Sequence, residues 1–163
     1  MIRESELREG EVAVDMPNPR DAGLVFIGRI RTPWTSRLAT PRQGRQDGPV
    51  CRLEIFEPWV PAIKGVDFYE NLEVIYWLHH SRRDLVLQSP KNNQKTRGTF
   101  SLRSPVRPNP IATSIVKLVG VEGNVIFVRG LDCLDETPLL DLKPDRCEFT
   151  PLAQQKMLDV EPE

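Results

Sequence analysis

The sequence predicts a mainly β fold: a small, mostly antiparallel β-barrel with long loops and one or two short helices. Three observations point there. Apolar residues collect in short, β-branched runs rather than at helical spacing. Fifteen of the 163 residues are proline, about twice the usual share of roughly 5 %, and proline interrupts helix interiors. Strands do not alternate with helix-length patterns and no GxGxxG occurs, so a doubly wound nucleotide domain is not signalled. The length suits one domain with a single core.

Residues 1–22 read as a polar extension that ends in the proline and glycine loop MPNPRDAG, and residues 23–163 as one barrel domain. LVFIGRIR (24–31) is β-branched and predicts a strand. Residues 32–49 form a long, proline-bearing stretch without apolar period, and a loop of that length in a compact domain points to function. VCRLEIF (50–56) alternates in part and predicts a strand. Residues 58–72 have room for one or two short helical turns. LEVIYWLHH (72–80) predicts a strand buried on both faces, SRRDLVLQSPKNNQKT (81–96) a polar loop, and RGTFSLRSP (97–105) a further strand. IATSIVKLVGVEGNVIFVRGLDCL (111–134) gives the clearest hairpin, strand, tight turn at 122–124 and strand. DETPLLDLKP (135–144) predicts a turn and strand. TPLAQQKMLDV (150–160) predicts a short helix, with Thr150 as N-cap and Pro151 at its first position.

No apolar run is long enough to span a bilayer, and the N-terminal residues mix charges of both signs without an apolar core. Cys51, Cys133 and Cys147 are odd in number and lack CxxC spacing, which argues against a disulfide framework or a zinc site. These features predict a cytoplasmic protein. Net charge is −1, but its distribution is uneven. Residues 22–46 hold five arginines and no acid, and residues 85–121 hold six basic residues and no acid. Basic stretches on a near-neutral chain suit a local anionic partner, such as phosphate, RNA or a carboxylate.

RSPVRPNP (103–110) is the most unusual motif. Ser104, Arg107 and Asn109 each precede a proline, so their backbones are held extended. Such a loop has little entropy left to lose on binding. It can aim Arg103 and Arg107, planar forks for carboxylate or phosphate, and Asn109, which offers donor and acceptor together. TPRQG (40–44) is similar in kind. His79 and His80 end a strand, where neighbours face opposite sides, so one metal is not expected between them. Asp132, Asp135 and Asp141 surround a turn and strand, able to meet ribose hydroxyls, an ammonium or a sulfonium. Cys133 has no assigned base and is a poor nucleophile candidate.

IGRIRTPW, PRQG, YWLHH, RSPVRPNPI and LDCLDETPLLDLKP occur in this order. Together they resemble the TsaA-like, or TrmO, family of S-adenosylmethionine-dependent methyltransferases, from about residue 24 to about residue 144. The resemblance implies a small antiparallel barrel acting as a homodimer. It implies S-adenosylmethionine as methyl donor and, as acceptor, the N6 of threonylcarbamoyladenosine in tRNA. It carries the donor site to Pro41, Arg42 and Gln43, to His79 and His80, to Arg103 and Thr113, and to Asp132, Cys133, Leu134 and Asp135. Arg107 and Asn109 are candidates for the acceptor side. Ala112 and Glu136 stand where the family pattern has glycine. The alternative is a module that binds S-adenosylmethionine without methylating tRNA.

Overall fold

Six strands close into one antiparallel barrel in the computed structural model, which describes residues 7–15, 21–91 and 95–145. In chain order the described strands are β1 (Val12–Ala13), β2 (Gly28–Arg31), β3 (Cys51–Ile55), β4 (Asn71–Trp77), β5 (Leu85–Gln88), β6 (Arg97–Gly98), β7 (Ile111–Glu122), β8 (Val125–Arg129) and β9 (Thr137–Pro144). Around the barrel the order is β2, β3, β8, β7, β4, β9 and back to β2, each pair antiparallel. Closure leaves the barrel no free edge. β1, β5 and β6 form a separate small sheet in the order β1, β5, β6.

The barrel core follows the two-residue period of its strands. Cys51, Leu53 and Ile55 of β3, Leu72, Val74 and Tyr76 of β4, and Ile126 and Val128 of β8 all point inward. Each fully buried aliphatic side chain contributes about 1.5–3 kcal/mol. The β7–β8 hairpin turns at Gly123 and Asn124, with Gly123 at φ 58°, the left-handed geometry that matches the twist of hairpin strands.

Four predicted elements differ. The strand predicted from residue 24 starts at Gly28, because its ladder with β9 stops at Gly28 opposite Leu139, and Leu24, Val25 and Phe26 have no ladder partner among the described residues. β4 is not uniformly buried on both faces. Leu72, Val74 and Tyr76 fill the barrel while Glu73, Ile75 and Trp77 on the other face are only partly covered. The expected polar loop at 81–96 contains β5, which pairs with β1 and β6. The expected strand at 97–105 is two residues long and then coils into a 3-10 turn, Thr99–Ser101, because Thr99 turns inward and its hydroxyl donates to the Leu85 carbonyl at 2.6 Å. Two further 3-10 turns, Val60–Ile63 and Val66–Phe68, lie where short helical turns are predicted. The helix predicted at 150–160 lies outside the described residues.

Part of the polar extension is structured. The backbone N–H of Arg8 and that of Ser89 both donate to the buried Glu11 carboxylate, at 3.1 and 2.8 Å, and Arg8 Nη1 donates to the Ser89 carbonyl at 2.9 Å. These bonds fasten the N-terminal segment to the end of β5.

Candidate functional site

A cleft of about 1380 Å³ is walled by β4 and β7 on the barrel side. Gln88 at the end of β5, Phe100 in the turn after β6 and the proline loop form its second wall, and residues 40–44 and 130–134 complete it. The predicted site residues line this cleft except Asp135, Asp141 and Asn109.

Residues 40–44 lie against the turn after β8 because residue 44 is glycine. A Cβ there would stand 1.8 Å from the Gly130 carbonyl oxygen. The same contact lets the Gly44 N–H donate to Asp132 Oδ2 at 3.2 Å. Asp132 Oδ1 accepts from the Tyr76 hydroxyl at 3.1 Å, and that hydroxyl also bonds Ser114 Oγ at 2.9 Å. Burial, reinforced by the Asp132 charge, raises the Tyr76 pKa far above its ordinary value, so the phenol stays a donor. Asp132 is therefore oriented from two sides, and Pro41, Arg42 and Gln43 are placed by the loop it anchors.

Across the cleft, Thr113 Oγ1 donates to Glu73 Oε1 at 2.8 Å. Cys133 is buried, and burial pushes its thiol up to about 12. A thiol raised in this way favours its protonated form, which is the poorer nucleophile. Leu134 follows it at the cleft wall, its carbonyl accepting from Thr137 Oγ1 at 2.7 Å. Asp135 turns to the barrel instead. Its carboxylate accepts from Arg31 Nε and from the Thr32 N–H, both at 3.0 Å.

The histidines differ from their sequence expectation. The strand ends at Trp77, so the opposite-face rule no longer holds at 79 and 80, and the two rings lie with centroids 3.8 Å apart. Burial first, then the charges of His80 and Arg37, hold the His79 pKa below its ordinary value. Among the described residues no group of three His, Cys, Asp or Glu side chains is placed to hold a metal ion.

The proline loop is pinned rather than merely stiff. Arg83 stacks over Trp77, 5.2 Å from the ring centre, and its Nε donates to the Pro108 carbonyl at 2.6 Å. Its Nη2 reaches Asn109 Oδ1 at 3.4 Å, which places Asn109 away from the cleft. Arg107 Nη1 donates to the Leu102 and Ser104 carbonyls, both at 3.3 Å, while Arg103 stands exposed at the cleft.

Folding sorts the arginines that the sequence only counts. Arg29 pairs with Glu54 and Glu136, Arg31 with Asp135 and Glu136, and Arg45 with Asp47. Arg37, Arg42, Arg103 and Arg107 make no ion pair among the described residues, and all four line the cleft. The cleft rim is thus basic although the chain is not.

Sequence reasoning missed Tyr76, Ser114, Arg83, Arg8 and Phe100. Tyr76 could have been found: period two places it beside Leu72 and Val74, and a buried tyrosine needs a partner for its hydroxyl. Arg83 carried no local signal.

Residues 29–149 match the family model described as the tRNA-methyltransferase O N-terminal domain. The probable S-adenosyl-L-methionine-binding protein VirR of Rhizobium radiobacter is 60 % identical over 153 residues, 94 % of this chain and 87 % of that protein. The tRNA (adenine(37)-N6)-methyltransferase of Mus musculus is 32 % identical over 126 residues, 72 % of this chain and 29 % of the mouse protein. A solved structure of TrmO from Pseudomonas aeruginosa superposes with a TM-score of 0.65 at 28 % identity, covering 82 % of this chain. The present chain spans only 58 % of that solved chain. The closed barrel agrees with these matches, and the chain belongs to the tRNA-methyltransferase O N-terminal domain family.

Proposed function

We propose that the protein is an S-adenosylmethionine-dependent methyltransferase that N-methylates a modified adenosine in tRNA. The observation that carries this reading is the cleft. At about 1380 Å³ it exceeds the roughly 300–1,000 Å³ of ordinary small-ligand pockets, so donor and nucleoside fit together. Its rim arginines suit the acceptor's phosphates.

The residues present fit the donor. Arg42, free of ion pairs among the described residues, is suited to its carboxylate. Asp132, oriented by Tyr76 and Gly44, is suited to ribose hydroxyls or the ammonium. Bound S-adenosylmethionine would supply an electrophilic methyl carbon on a sulfonium. The chain's part is alignment: fixing both reactants in one cleft converts a bimolecular displacement into an effectively unimolecular one. As the new N–C bond forms, the methyl carbon's bond to sulfur would break to leave a neutral thioether, and the acceptor N–H proton would pass to solvent.

Action on tRNA fits a cytoplasmic enzyme, and the described residues contain no helix long and apolar enough to cross a membrane. The family resemblance supports a homodimer. The test is a methyl-transfer assay with labelled S-adenosylmethionine and unfractionated tRNA, run beside calorimetric titration of the donor. Label in tRNA is the expected result. Donor binding without label in any tRNA would overturn the enzyme reading and leave a binding module.

A further inference from the structure

Phe100 is the most exposed large apolar side chain among the described residues, with 82 % of its surface open, yet it lines the cleft. Its exposure is built into the fold. It is the middle residue of the 3-10 turn Thr99–Ser101, whose first side chain is locked inward. The Thr99 hydroxyl donates to the Leu85 carbonyl at 2.6 Å and accepts from Gln88 Nε2 at 2.9 Å. Gln88 Nε2 also donates to the Val106 carbonyl at 2.8 Å, tying the turn to the proline loop. With three residues per turn, an inward Thr99 sends the next side chain outward. The Leu102 N–H closes the turn on the Thr99 carbonyl at 3.2 Å.

Two arginines flank this ring in the chain. Arg97 Nη2 donates to the Ser101 carbonyl at 3.3 Å, one residue past Phe100, and Arg103 stands at the cleft three residues on. A single exposed phenylalanine on a plain surface means little. A ring fixed at the rim of a basic cleft has the two parts of a single-strand nucleic-acid site, an aromatic face for a base and cations for its phosphates.

We infer that Phe100 is a stacking platform for an unpaired nucleobase of the RNA acceptor, with the adjoining phosphates on Arg97 and Arg103. This rests on the tRNA reading above and adds a mode of recognition to it. Base faces in a duplex are already stacked, so the platform selects loops over paired stems.

The test compares the full chain with its Phe100→Ala and Phe100→Trp variants. The probes are an RNA stem-loop with an unpaired loop and a fully paired duplex of the same composition. Donor affinity and solution mass are measured alongside. Phe100→Ala is expected to weaken stem-loop binding about 5- to 150-fold. Phe100→Trp restores it, and duplex binding, donor affinity and mass do not change. Equal stem-loop binding by wild type and Phe100→Ala overturns the platform. Lost donor affinity with RNA binding retained gives the ring to the donor's adenine, and a changed mass gives it to a second copy of the chain; either overturns the proposal. If the wild type methylates tRNA and Phe100→Ala does so with equal affinity, only the platform falls. If the wild type neither binds nor methylates RNA, both readings fall.

Discussion

At the residue scale, Tyr76 decides how well the cleft is organised. Its hydroxyl joins β4 to Ser114 on β7 and to Asp132 after β8. Tyr76→Phe keeps the ring in the core and removes only those bonds. A lost buried hydrogen bond costs about 0.5–1.5 kcal/mol, so the variant folds. Asp132 then keeps one protein donor, Gly44, and donor affinity is expected to fall by up to about tenfold, as calorimetry can show. His79 gives a pH signature. Its pKa is lowered on folding, chiefly by burial and then by His80 and Arg37. The folded state therefore binds fewer protons than the unfolded chain below the ordinary value of 6.5. Its stabilising contribution is intact above that value and is lost as pH falls through the window beneath it. Urea midpoints should drop on acidification, and drop less in His79→Gln. Glu136 is a residue whose conformation the sequence hinted at. It sits at φ 65°, where the family pattern has glycine, and its carboxylate bridges Arg29 and Arg31.

At the element scale, the N-terminal segment belongs to the cleft's second wall. The Glu11 carboxylate accepts both the Arg8 and the Ser89 backbone N–H, and Arg8 reaches the cleft. Glu11→Ala would strand these buried donors at about 1–3 kcal/mol each. Because β1 and β5 stand outside the barrel, the expected loss is local. Amides of Leu85–Gln88 should exchange faster, while those of β4 and β7 keep their protection. Uniform loss of protection would show that the small sheet and barrel unfold as one unit. This sheet is also where sequence reading stopped. The barrel strands were legible because each has a two-residue apolar period or a clear turn, as in 111–129. β1 and β6 are two residues long, below any periodic signal, and β5 is exposed at Val86 and Leu87 and buried at its ends. Their stability comes from tertiary bonds such as those of Glu11 and Thr99. The cleft was better read than the small sheet, since the proline, PRQ and DCL motifs gather there, but sequence could not show that Asp135 and Asn109 turn away. Those orientations depend on Arg31 and Arg83, distant partners that only the closed barrel brings near.

At the scale of the whole molecule, charge is arranged rather than abundant. With a net charge of −1, the chain as a whole does not attract RNA, and exposed charges act only within about 8 Å at physiological salt. Binding must come from Arg97 beside Phe100 and from the rim residues Arg37, Arg103 and Arg107. Each phosphate contact releases counterions worth about 0.7–0.9 in the slope of log affinity against log salt. With all four engaged the slope is about −3, and a fourfold rise in salt should weaken tRNA binding by about 60-fold. The position of an arginine then matters more than its presence. Arg37→Ala removes a rim contact and should flatten the slope by about 1. Arg29→Ala removes the same formal charge, but from a residue already held by Glu54 and Glu136, and should leave the slope unchanged. Equal flattening by both variants would mean that diffuse charge, not the cleft rim, holds the RNA. The acid-free stretch 22–46 would then act as the uniform basic surface that its sequence suggests, rather than the paired and unpaired arginines into which the fold divides it.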